Sequence, residues 1–321
     1  MIFIKKIIIS VLLISILLIT ILLIPNNKNK ITIAEVTHSP FYTPFYIAIE
    51  NGYFKEENID IELILTPGAD KVSSAVLSGN AQIGLAGCES ALYIYLNGEK
   101  DYLVAFSGLT KRDGQFMIGR NNHFNWHDLE GKEIIVGRKG GMPALSFEKA
   151  LDNAKIDKSK VKINYSIDYA SLSGAFISGI GDYVNLFEPN ATTLEKEGYG
   201  YILESIGKKS IEMPYTVFYT KKSYYHNNKE LFKSFNKAIQ KGLDYTNSHT
   251  PEEIAKLIHN QFKENSLEEL TTYITNYKNA DSWLNTTKIS KELFNNLEDL
   301  LYDNKLINKK DSYKEIIINH E

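Results

Sequence analysis

The chain has one cysteine, Cys88, in 321 residues, which excludes an internal disulfide and any zinc or iron–sulfur site built from several thiolates. Arginine is nearly as scarce. Arg112, Arg120 and Arg138 all fall within residues 112–138, and lysine supplies the remaining positive charge. Neither sign of charge dominates: 36 Lys+Arg against 39 Asp+Glu give a formal net charge of −3 and a pI near 6.2. The basic face that nucleic-acid binders carry is therefore missing. With 43% hydrophobic and 12% aromatic residues, the composition excludes a disordered or collagen-like chain. Familiar catalytic signatures are absent too: no Gly-rich loop ending in Lys-Ser/Thr, no His-Glu-x-x-His and no Gly-x-Ser-x-Gly. His123, His127, His226, His249, His259 and His320 stand at no metal-ligand spacing and read as surface residues, so neither a metal nor a cofactor is expected.

One long apolar run is present. Lys5 and Lys6 precede residues 7–24, whose most polar members are Ser10, Ser15 and Thr20, and that length just crosses a bilayer as a helix. Leu22-Leu23-Ile24-Pro25 leads straight into Asn26-Asn27-Lys28, with no Ala-x-Ala cleavage site and no cysteine for lipid attachment. Residues 1–30 thus read as an uncleaved membrane anchor, with a cleaved signal segment as the alternative. The two lysines and the terminal amine favour an inside N-terminus, placing the rest of the chain outside the cytoplasmic membrane.

Beyond residue 30 strands and helices alternate. Strands are expected over 31–36, 59–65 and 81–86, with helices over 43–49, 69–78 and 90–96 closed by Gly52, Gly79 and Gly98. A second such series has strands at 133–136, 161–166 and 183–187, with helices after Pro143 and over 172–178. Helices then dominate, over 229–245, 251–262, 267–277 and 291–302, with Thr250-Pro251-Glu252-Glu253 a clear helix start. The last helices have too few apolar positions to stand alone and are expected to pack on the first sheet. The chain then crosses between lobes twice, near 109–115 and 209–215. This predicts a two-lobe α/β fold with mixed, mainly parallel sheets, a hinge and an interlobe cleft. Lobe one comprises 31–112 and 214–321, and lobe two 113–213.

Four blocks in register carry a family resemblance. They are Glu35-Val36-Thr37-His38-Ser39-Pro40-Phe41-Tyr42-Thr43-Pro44 continuing to Asn51-Gly52-Tyr53-Phe54; Ser78-Gly79-Asn80-Ala81-Gln82-Ile83-Gly84; Asp128-Leu129-Glu130-Gly131-Lys132; and Glu188-Pro189. Together they span residues 31–305. The chain resembles extracytoplasmic substrate-binding proteins of ABC importers, nearest the alkanesulfonate, nitrate and taurine binders and the thiamine-pyrimidine-precursor binders. That resemblance implies a type 2 periplasmic-binding-protein fold, a small-molecule solute, permease and ATPase partners, and no chemistry on the solute.

The fold's geometry selects the candidate ligand residues. The loop after the first strand brings His38, Phe41 and Tyr42 toward the cleft, with Phe45 either beside them or packed in its helix. Asp70 and the pair Glu89 and Ser90 sit at helix starts in the corresponding loops, where free backbone N–H groups gather. In lobe two, Gly137-Arg138-Lys139-Gly140-Gly141-Met142 joins strand to helix and offers Arg138, Gly140, Gly141 and Met142. Glu188 ends a later strand. Glu89 and Glu188 suit the N–H groups of an amino-heterocycle such as an aminopyrimidine, whereas Arg138 suits a sulfonate, nitrate or carboxylate. Both ligand classes stay open, with the carboxylates tipping the balance to the first. Two further readings compete. Cys88 at a helix start with His38 nearby would make a reactive thiol, but the pyrimidine-synthesising enzymes of this fold resemble a cysteine-rich pattern missing here. A membrane-anchored ligand sensor would need an output module, and only six residues precede the apolar run.

Overall fold

The computed structural model describes residues 29–319. The expected anchor segment thus lies, but for its last two residues, outside the described residues. Among the described residues no helix is long and apolar enough to cross a membrane.

Ten strands are described: β1 (Asn29–Glu35), β2 (Ile59–Leu65), β3 (Ile83–Gly87), β4 (Leu103–Thr110), β5 (Phe116–Gly119), β6 (Glu133–Ile135), β7 (Lys162–Asn164), β8 (Tyr183–Leu186), β9 (Tyr201–Ser205) and β10 (Thr216–Lys221). They form two sheets, ordered β2-β1-β3-β10-β4 and β7-β6-β8-β5-β9. In each sheet one strand runs against the other four. β10 is antiparallel to β3 and β4, and β5 is antiparallel to β8 and β9. These are the strands entered directly from the segments that join the sheets. A chain arriving from the other lobe enters at the end where the parallel strands finish, so it must run opposite to them.

The pattern predicted three strands per sheet and missed β4, β5, β9 and β10. β4 is buried along its whole length, so it has no polar alternation to reveal it. The helix Lys229–Ser248 packs on β4 and on the helix Thr43–Glu50, Pro251–Ile258 packs on that same helix, and Leu267–Asn279 lies against the turn Pro40–Tyr42 and the second-lobe helix Asn190–Lys196. Asn236 Nδ2 donates to the Phe106 carbonyl of β4 at 2.8 Å. Gly242 runs so close to the Pro44 carbonyl that a β-carbon there would overlap it.

The two crossovers, residues 111–115 and 206–215, are zipped together by backbone bonds from Met213 N to Lys111 O at 2.9 Å, Tyr215 N to Thr110 O at 3.1 Å and Ile206 N to Gln115 O at 2.9 Å. The second lobe is less self-contained than its sequence series implied. Met117, Ile134, Val136, Ala144 and Phe147 form a separate core on one face of its sheet. On the other face Ile118, Ile135, Val184 and Leu186 join one continuous apolar cluster with the first lobe.

Candidate functional site

The loop after β1 makes a tight corner. Ser39 Oγ accepts the Phe41 N–H at 3.2 Å, Pro40 opens the single turn Pro40–Tyr42, and Thr43 Oγ1 donates back to the Pro40 carbonyl at 2.6 Å. Trp283 Nε1 pins the corner by donating to the Phe41 carbonyl at 2.8 Å. Phe41 is thereby held at the junction of the lobes, with ring centroids 5.6 Å from Phe187, 6.0 Å from Tyr215 and 5.1 Å from Tyr277. Phe187 contacts Tyr169 in turn at 5.9 Å. These tilted and edge-on pairs pack the buried Phe41 ring directly against its neighbours, while Tyr169 stays partly exposed at the edge. Phe45 instead packs into the core against Phe218 at 5.2 Å.

Glu89 is the notable charge beside this aromatic corner. It begins the helix Glu89–Leu96, and its carboxyl folds back over Gly87, where any β-carbon would overlap it. Its negative charge bears on the phenols of Tyr42, Tyr93, Tyr215 and Tyr219 and on the buried Cys88 thiol. Burial pushes the Glu89 carboxyl up to about 7, opposed only by its own backbone N–H. No cation neutralises it and no side chain donates to it among the described residues. A largely desolvated carboxylate lacking donors is costly, and, since the residue keeps some exposure, a solute bearing N–H groups would supply them.

Across the cleft, Arg138 is exposed and its charge opposes the effect of Glu89 on Tyr93, whose phenol is pushed up to about 12, chiefly by burial. Gly140, with φ at +76°, adopts a left-handed conformation that favours glycine, and a β-carbon there would lie 3.7 Å from Leu306 of the first lobe. Gly141 precedes the helix Met142–Asn153, and a β-carbon on it would meet the Arg138 carbonyl at 3.2 Å. A groove of about 780 Å³ lined by Tyr93, Leu96, Tyr302, Leu306 and Ile307 lies alongside.

The other candidates from the sequence have different settings. His38 is bound on both ring nitrogens, by Glu35 at 2.7 Å and by the Gln261 carbonyl at 2.9 Å, while Tyr46 donates to the same Glu35 carboxylate at 2.7 Å. Burial works against its charge, but Glu35 outweighs it and holds the His38 pKa above its ordinary value. Glu188 is buried and satisfied: it accepts the Thr192 N–H at 2.9 Å, the Thr192 hydroxyl at 2.8 Å and Asn276 Nδ2 at 2.6 Å. Its own N–H donates to Tyr277 at 3.1 Å. It therefore ties the second lobe to the helix Leu267–Asn279 of the first, and has little acceptor capacity left for a solute. Met142 and Ser90 are buried, Met142 within the apolar cluster, whereas Asp70 is exposed in the first turn of its helix. Arg112 reaches Glu212 and Asp281, and Arg120 caps the Phe176 and Gly181 carbonyls at 2.9 Å. Of the three arginines, Arg138 is the one whose charge bears on Tyr93. The Cys88 thiol is fully buried and pushed far up by desolvation and by Glu89, the opposite of activation.

Sequence reasoning passed over Tyr93, Tyr169, Phe187, Tyr215 and Asp113. The last pair meet across 102 positions, Tyr215 donating to Asp113 at 2.7 Å. The only linear signal was their position in the expected crossovers.

Comparisons with known proteins agree with this architecture. The chain is 40% identical over 257 residues to YtlA of Bacillus subtilis, which its name describes as a binding protein, covering 79% of this chain and 77% of YtlA. It is 24% identical over 263 residues to a 4-amino-5-hydroxymethyl-2-methylpyrimidine phosphate synthase of Candida albicans, covering 76% and 74%. The aliphatic sulphonate binding protein SsuA of Escherichia coli superposes with a TM-score of 0.71 at 16% identity, over 89% of this chain and 96% of SsuA, which makes the fold that of a periplasmic binding protein. The NMT1/THI5-like family model matches residues 39–254, and the chain belongs to that family.

Proposed function

We propose that this protein is the extracytoplasmic solute-binding component of an ABC importer. It captures a small molecule between lobes 31–112 with 214–321 and 113–213, closes around it by a hinge motion, and presents the closed form to a permease powered by a separate ATPase. Residues 1–30 would anchor it to the membrane or, if cleaved, release it. No covalent chemistry is assigned to it: the relative it matches at 40% identity is named a binding protein, and burial holds the Cys88 thiol in its protonated form. The solute is an amino-bearing aromatic of the aminopyrimidine class. Glu89 carries this reading: a carboxyl set among phenols and unmatched by any cation among the described residues accepts N–H groups and repels an anion. Tyr169, partly exposed beside Phe187 at the edge of the aromatic corner, offers a ring face to a planar solute.

A sulfonate or nitrate is the second reading. Arg138 and the helix start behind Gly141 favour it. A thermal-shift series on the protein with 4-amino-5-hydroxymethyl-2-methylpyrimidine, thiamine, an alkanesulfonate, taurine and nitrate separates the two. A solute at about a hundred times its Kd stabilises by about 2.7 kcal/mol, seen as a rise of several degrees. Stabilisation by the pyrimidine and not by the oxyanions is expected, and the reverse overturns the assignment.

A further inference from the structure

The hinge contains a buried carboxyl that the solute site does not use. Asp113 lies on the first crossover with no exposed surface. Its carboxylate accepts the Tyr215 hydroxyl from the second crossover at 2.7 Å and the Gln115 N–H at 2.6 Å. Ser146, in the second-lobe helix Met142–Asn153, buries a hydroxyl nearby that makes no hydrogen bond among the described residues. Tyr215 leads directly into β10 of the first sheet and Ser146 belongs to the second lobe, so the groups around the carboxyl belong to parts of the molecule that a hinge motion moves relative to one another.

Every titratable group around Asp113 is acidic, phenolic or turned away. Tyr215 and, from the second lobe, Tyr169 present phenols that feel its charge, and Glu89 lies beyond Tyr215. Arg112, the adjacent cation, turns outward to Glu212 and Asp281. The turn Ile206–Lys209 contributes only the backbone of Gly207 against the Asp113 carbonyl, while Lys209 stands over the Trp126 ring. Beside this group, Gln115 Nε2 donates to the Asn185 carbonyl at 3.2 Å, yet Gln115 Oε1 and both amide atoms of Asn185 have no partner among the described residues. The hinge is thus rich in buried polar groups, and among the described residues its cations Lys111 and Arg112 pair with Asp281 and Glu212 rather than with Asp113.

We propose that Asp113 couples proton uptake to closure of the two lobes. The closed arrangement shuts the carboxyl away from water without a counter-charge. Parting the lobes separates Tyr215 from Ser146 and wets the carboxyl, which then ionises as an ordinary aspartate does. In this buried arrangement desolvation pushes Asp113 up to about 7, with the Tyr215 hydroxyl and the Gln115 N–H pulling the other way. The closed form therefore binds more protons than the open one. Closure is favoured at low pH and loses that advantage as pH rises from the ordinary aspartate range through about 7. The inference rests on reading the molecule as a hinged solute-binding protein, but it does not depend on which solute is bound.

The test uses the full chain in detergent micelles without solute, labelled for energy transfer at Lys162→Cys in the second lobe and Asp303→Cys in the first. Both positions are exposed, and the native Cys88 is buried and stays unlabelled. All proteins carry Glu89→Gln, which removes the other carboxyl pushed up to about 7; between pH 8 and pH 5.5 the high-transfer population is expected to rise at least threefold, and Asp113→Asn should abolish the change. A parent protein with pH-independent transfer, or an Asp113→Asn protein that responds as the parent does, overturns the proposal. If Asp113→Asn fails to fold, Tyr215→Phe serves instead. Removing a donor to the carboxylate should move the transition to higher pH, and an unmoved transition counts against the coupling. Because no solute is present, failure here leaves the aminopyrimidine assignment standing, and the binding series leaves this result standing.

Discussion

Replacing Glu89 by glutamine tests the electrostatics of the cleft without needing the solute. The amide keeps the shape of the side chain and removes its charge, and no side-chain donor is lost because none is present among the described residues. The interval between the ordinary 4.5 and about 7, at about 1.4 kcal/mol per pH unit, sets a ceiling of about 3 kcal/mol on the cost of the ionised form. The residue retains partial exposure, so a gain of about 1–2 kcal/mol is the reasonable expectation. The sign follows from linkage. A carboxyl whose native pKa lies above its unfolded value holds its proton more tightly when folded. Its contribution is therefore most favourable below about 4.5, declines as pH rises, and is flat above about 7. Urea denaturation of parent and Glu89→Gln proteins at pH 4.5 and pH 8.5, compared as differences, cancels the other titrating groups. The variant should be the more stable at pH 8.5 and nearly equal at pH 4.5. A variant less stable at pH 8.5, or equally displaced at both values, would refute the view that Glu89 is an uncompensated buried charge.

Further expectations follow from the same geometry. Truncating Glu188 to alanine strands Asn276 Nδ2 and both Thr192 donors, at a cost of about 2–4 kcal/mol in chemical denaturation; intact stability with lost solute binding would instead make Glu188 a ligand group. Valine at Gly141 must push against the Arg138 carbonyl, so solute affinity should fall about tenfold or more while the melting temperature stays within a few degrees, and unchanged affinity removes that loop from the site. The raised pKa of His38 means its bond to Glu35 stabilises fully below the ordinary value of 6.5 and is lost as pH rises through the raised one. His38→Gln should accordingly destabilise more at pH 5.5 than at pH 8.5 in paired denaturation curves.

Periodicity disclosed the parallel half of each sheet well. β2 and the helix Ala69–Ser78 fall on the residues expected of them, because alternation marks the one and Gly79 stops the other. β4 and β10 escaped because a strand buried on both faces shows a plain apolar run. The short β5 and β9 acquire their identity from the crossovers that feed them. In the cleft, Glu89 and the Phe41 corner were legible from their place at the ends of parallel strands. His38 and Glu188 stood in equally suggestive places, and only three-dimensional partners, Gln261 for one and Asn276 for the other, revealed how fully they are engaged. Asp113 and Tyr215 carried no local signal, since what makes them matter is their contact.

The central claim is that Glu89 accepts N–H groups from an amino-bearing aromatic held in the interlobe cleft. Isothermal titration of 4-amino-5-hydroxymethyl-2-methylpyrimidine into the parent and Glu89→Gln proteins at pH 7.5 tests it most directly. The account predicts saturable one-to-one binding to the parent and an affinity at least tenfold weaker in the variant, about 1.4 kcal/mol or more. Equal affinity in the two proteins, or tight binding of an alkanesulfonate that Glu89→Gln strengthens, would contradict it.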